Sequence, residues 1–133
     1  MANAGEYFTI TLKRPHLEWG SYRHTDSRGT VYGEGYIPIQ ASDAYALNLL
    51  NQNGTNYHDV FGLNLFNCES VDGYFHGVLR AQGNQSDDRF AKQLAGDKNL
   101  KALGDWFYAM GATVGDRVRV TWINSTDIEI ELL

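Results

Sequence analysis

Three short blocks, met in a fixed order, constrain what this chain can fold into. They are Gly35-Tyr36-Ile37-Pro38-Ile39, Val71-Asp72-Gly73-Tyr74-Phe75, and Val114-Gly115-Asp116-Arg117-Val118-Arg119-Val120-Thr121-Trp122. Each joins β-branched or aromatic residues, which fit a pleated half-buried surface, to a turn or the start of a helix. Together they predict a small mixed β barrel whose loops, rather than its interior, carry the function.

The segments between the blocks complete the pattern. Residues 7–12 alternate and predict a first strand. Residues 15–29 read as a long loop or protruding ribbon, and long loops in compact domains are usually functional. Residues 30–39 resume as strand, with Gly33 and Gly35 as bulge or bend sites and Pro38 confined to an edge or exit. Ser42 is placed to cap a helix running to Leu50. Two strands, Val60 to Cys68 and Tyr74 to Ala81, flank Asp72-Gly73, a pair suited to a primed hairpin turn. A short strand follows at Phe90 to Leu94. Asn99 is placed to cap a helix from Leu100 to Met110 that Gly111 stops. Arg117 to Ile123 and Asp127 to Leu132 form a closing hairpin. Leu103, Trp106 and Met110 make a core stripe on the second helix. Trp122 points inward with Val118 and Val120, while Arg117 and Arg119 share the opposite face, as exposed charges or a floor for phosphates.

At 133 residues the chain fits one domain, 1–133, and its 43% hydrophobic content excludes a disordered polymer. No apolar run approaches the roughly 20 residues of a membrane span. The first residues lack the charged-then-apolar order of a secretory leader. The single cysteine, Cys68, is expected to be a buried small hydrophobe, and a cytoplasmic location follows as the expectation.

A net charge of −5 argues against indiscriminate nucleic-acid binding. The distribution of charge is more informative. Residues 13–28 hold four cations against two acids, and residues 80–101 hold five against three. Elsewhere only Arg117 and Arg119 offset eleven acids. Positive charge is therefore gathered into two segments on an acidic body.

Catalytic constellations are missing from the sequence. His16, His24, His58 and His76 have no metal-type spacing, so no metal or other cofactor is expected. Asp87-Asp88 reads as a solvated turn beside Arg89, and no nucleophile motif occurs. The two basic segments carry different chemistry. Tyr22, Arg23, His24, Ser27 and Arg28 form one set; Arg80, Gln82, Asn84, Gln85, Arg89 and Lys92 form the other. Arginine pairs bidentately with guanine and Asn or Gln with adenine, while Lys and Ser hold phosphates.

The order of the blocks resembles that of B3-type DNA-binding domains over about residues 30–132. Its flavour is that of the B3-like domains of bacterial restriction endonucleases. The resemblance implies a mainly β fold with minor α content, a seven-stranded open pseudobarrel with two short helices. It also implies two arms gripping the major groove of double-stranded DNA, with Tyr22 to Arg28 in the first and Arg80 to Lys92 in the second. The module would be non-catalytic and would serve a restriction-type system, alongside a nuclease domain or subunit. One departure is Gln40 after Ile39, where plant members commonly carry lysine. The rival expectations are a protein-interaction module or anti-restriction-type small protein without DNA binding, and, further off, a small barrel enzyme.

Overall fold

The computed structural model describes residues 2–13, 35–51, 59–83, 89–99 and 101–133. Among them are seven strands: β1 (Tyr7–Thr11), β2 (Ile37–Pro38), β3 (Leu65–Ser70), β4 (His76–Gln82), β5 (Gln93–Gly96), β6 (Arg117–Trp122) and β7 (Asp127–Leu132). Two short helices, α1 (Ala41–Leu47) and α2 (Ala102–Ala109), follow β2 and β5. The strands form one sheet in the order β1-β6-β7-β3-β4-β5-β2. β3 and β7 pair in parallel and every other neighbouring pair is antiparallel. The sheet curls until its edges approach each other. A cleft of about 350 Å³ is lined by Thr9, Ile10, Thr11 and Lys13 from one edge and Pro38, Ile39 and Gln40 from the other. This is the expected mainly β open pseudobarrel with two short helices.

Alternation along the strands decides what fills it. Phe8 and Ile10, then Val118, Val120 and Trp122, then Ile128 and Ile130 are all buried. Phe66 and Cys68, with Leu79, Ala81 and Leu94, continue the same inner surface. Trp122 lies between Phe8, at 6.0 Å, and Phe66, which meets it edge-on at 5.6 Å. Leu103 and Trp106 of α2 join the same core, as the helical stripe predicted; Phe107 joins them, and Met110 packs against the core only partly buried. Burial, with the Glu69 and Glu129 charges adding to it, pushes the Cys68 thiol far above its ordinary range, so the buried cysteine is chemically quiet.

Several local expectations are corrected. The turn after β3 is not a two-residue primed turn. The Ser70 amide donates to the Phe75 carbonyl across a four-residue loop, and only Gly73 takes positive φ, at 81°. Asp72 acts through its side chain instead. Its Oδ1 accepts from the Ser70 hydroxyl (2.6 Å) and the Tyr74 amide (2.8 Å), and its Oδ2 accepts from the Trp106 indole (3.0 Å). Residues 60–64 are a tight turn rather than strand, because the Asn64 side chain accepts the Val60 amide at 2.8 Å while the Asn64 amide bonds the Val60 carbonyl. Neither helix has a side-chain N-cap: α1 begins at Ala41, before Ser42, and the Asn99 side chain only accepts the Lys101 amide, at 3.3 Å. The fifth strand is shifted to Gln93–Gly96, and Phe90 makes an isolated bridge with Leu50. Gly35 serves close approach and not a bend, since a Cβ there would lie 3.1 Å from the Gly104 backbone and the Phe107 ring. Gly33 lies outside the described residues.

Burial pushes the Asp72 carboxyl up, but hydrogen bonds from Ser70, Trp106 and Tyr74 together hold it below its ordinary value. A carboxyl lowered by folding contributes stability that is present above its unfolded pKa and is lost as pH falls through the folded one. Asp72→Ala is expected to lower stability by about 1–3 kcal/mol at neutral pH, the cost of orphaning the indole and turn donors. Urea denaturation of both proteins should show the gap narrowing as pH drops below the ordinary Asp range.

Candidate nucleic-acid interface

The second basic segment includes the connection from β4 to β5, whose two feet are built into the barrel. Buried Asn51 holds both. Its side-chain Oδ1 accepts the Gly83 amide at 2.7 Å, and its own amide donates to the Arg89 carbonyl at 2.8 Å. Around this clip the Ala91 amide bonds the Leu49 carbonyl and the Lys92 amide bonds the Gln82 carbonyl, both at 2.9 Å. Gln82 also lies across from Gln93 in the β4–β5 register. The chain that follows α1 is thus the foundation of the arm.

Two predicted contact residues stand exposed on this foundation. Arg89 is exposed, with its guanidinium carbon 5.6 Å from the centroid of the Phe90 ring. Lys92 is exposed as well, and Gln82 is half-buried. Phe90 in turn meets the ring of Tyr45, on α1, at 5.5 Å.

Arg80 has a different fate from the one its position in the chain implied. Both its Nε, at 2.9 Å, and its Nη2 donate to Asp97 Oδ1, and Nη2 also lies 3.0 Å from Asp59. Its side chain is only 22% exposed, and that of Asp97 only 17%. The fork that would read a guanine is taken up inside the protein, tying β4 to the turn after β5. Asn84 and Gln85 lie outside the described residues. So do Tyr22, Arg23, His24, Ser27 and Arg28, the whole proposed first arm.

The remaining cations among the described residues are spread. Lys13 borders the cleft between the two sheet edges, and Lys98 and Lys101 are exposed between β5 and α2. Arg117 and Arg119 are exposed on the outer face of β6, where Arg119 lies over Tyr7 at 5.6 Å and pairs in register with Glu131 of β7. Asn51 and the Tyr45–Phe90 contact were not foreseen. The available signal was the Asn-containing polar cluster after the first helix, which reads as a turn.

No family model matches the chain, and no curated protein does. A solved structure described as an "Arabidopsis FUS3-DNA complex" is similar over 73% of this chain and 92% of that one, with 16% identity and a TM-score of 0.37.

The clip yields a direct test. Asn51→Ala leaves the buried Gly83 amide without this acceptor, at a cost of about 1–3 kcal/mol. Hydrogen exchange should accelerate at residues 83 and 89–92 well before it does in β6 and β7.

Proposed function

We propose that this protein is a non-catalytic module that binds double-stranded DNA sequence-specifically in the major groove. One observation carries the reading: the β4–β5 arm is clamped at both feet by Asn51, with Arg89 and Lys92 exposed at its C-terminal foot. A recognition arm works when its base-reading groups are held in place before the duplex arrives, since less ordering entropy is then lost on binding. The segregation of positive charge into residues 13–28 and 80–101, and the B3-like order of the sequence blocks, support the same reading.

In this reading Arg89, Gln82, Asn84 and Gln85 meet base edges, and Lys92 meets phosphate. Tyr22, Arg23, His24, Ser27 and Arg28 form the opposing arm. Arg80 is a positioning residue, since its guanidinium is committed to Asp97 and Asp59. The wider setting we propose is the recognition part of a cytoplasmic restriction-type system that cuts through a nuclease domain or subunit. The acidic body leaves few phosphates neutralised, so affinity is modest and falls with salt in proportion to those few contacts.

A second reading is a protein-interaction module without DNA binding. What favours it is a groove of about 420 Å³ on the outer face of β3, β4 and β7. Glu69, His76 and Asp127 line it together with apolar Val78 and Ile123, a setting suited to a basic side chain of a partner. Hydrogen bonds from Asn67 and Asn124 hold the Asp127 carboxyl below its ordinary range, so it stays charged.

Selection of bound duplexes from a random pool separates the two readings, because only the first enriches a motif. Arg89→Ala should then weaken binding to that motif by about 1–3 kcal/mol and relax preference at one base pair. An equal loss on all sequences would remove Arg89 from base reading. Arg80→Ala should lower thermal stability while leaving the order of sequence preference intact.

A further inference from the structure

Tyr45 leaves 73% of its surface in water although its ring is already held by a neighbour. Phe90 meets it in a tilted edge contact, with centroids 5.5 Å apart and planes at 60°. The Arg89 guanidinium sits against the same Phe90 ring, 5.6 Å from its centroid. Two chain segments supply this series. Tyr45 comes from α1, while Phe90 and Arg89 come from the C-terminal foot of the β4–β5 arm. The Leu50–Phe90 bridge and the Asn51–Arg89 hydrogen bond join the two segments just beyond α1. Exposed Lys92 follows two residues later.

A lone exposed tyrosine needs no explanation. This one is oriented in advance, so a ligand that stacks on it loses little rotamer freedom in doing so. The Arg89 charge lies against the neighbouring Phe90 ring, which favours a flat aromatic ligand carrying an anion. A nucleobase with its phosphate has that chemistry. Inside a paired duplex the base faces are covered by one another, and only an unpaired base has a face to offer.

We propose that Tyr45, backed by a Phe90 ring that Arg89 also lies against, is a stacking step for a single unpaired nucleobase. Duplexes that contain a mismatch or end in a single-strand junction would therefore be bound more tightly than fully matched ones. This rests on the DNA-binding reading above and adds a substrate class to it.

The test uses the full chain and duplexes of one sequence, matched or carrying one unpaired 2-aminopurine. Binding is followed by anisotropy, and stacking by quenching of the analogue. The wild type should bind the unpaired form more tightly and quench it. Tyr45→Ala should lower that affinity about 5- to 100-fold and leave matched-duplex affinity within about twofold. Tyr45→Phe should retain the preference. The ratio of the two affinities should hardly change with salt while both fall, since stacking releases no counterions. Equal affinity for the two duplexes, or a Tyr45→Ala protein that keeps the preference, overturns the stacking step and leaves the DNA-binding reading standing. Binding to neither duplex overturns both. Tyr45 is exposed, so circular dichroism should show each variant folded.

Discussion

The barrel depends on one parallel pairing. β1, β6 and β7 form one antiparallel ribbon, and β3, β4, β5 and β2 form another. Among the described strands β3 against β7 joins them, with Asn67 to Ser70 in register with Asp127 to Ile130. The residues that pair are 60 positions apart, so forming this contact carries a large loop-closure cost. Its ends are fastened to offset that cost. The Asn67 side chain donates to Asp127 at 2.9 Å, its backbone amide reaches the Thr126 carbonyl, and the Val71 amide reaches Ile130. Between the fastenings, Cys68, Ile128 and Ile130 are buried in the shared core. Without this seam the two ribbons would each expose an apolar face.

Electrostatics divides the cations of the second basic segment into two kinds. Arg80 faces two carboxylates at hydrogen-bonding distance and is largely covered, so its charge is balanced within the fold. Arg89 has an aromatic ring for a neighbour, which orients a guanidinium without neutralising it. A count along the chain treats the two arginines alike. The folded protein keeps one as a brace and presents the other.

Much of the architecture was legible in the sequence. Alternation at residues 7–12 and 117–132 identified three strands and their inward residues, because the period of two survives wherever one face is buried. The helical stripe of Leu103 and Trp106 was equally clear. What stayed hidden were choices made by single side chains. Asn64 bends residues 60–64 into a turn, and Asp72 satisfies its loop through a carboxylate rather than a left-handed backbone. Two tryptophans read alike as core, yet the indole of Trp106 finds Asp72, while that of Trp122 has no hydrogen-bond partner among the described residues. At the candidate site, Arg89 and Lys92 were legible as exposed cations. The pairing of Arg80 with Asp97 was not, since it follows from strand register, which brings Asp97 beside Val78. Asn51 was hidden for the same reason: its partners lie more than thirty residues away.

The Asn51 clip has a consequence for how such a protein changes over time. Both ends of the β4–β5 connection terminate on one buried amide-bearing residue. A change at position 51 is therefore felt at residues 83 and 89 at once, a double penalty that weighs against its replacement.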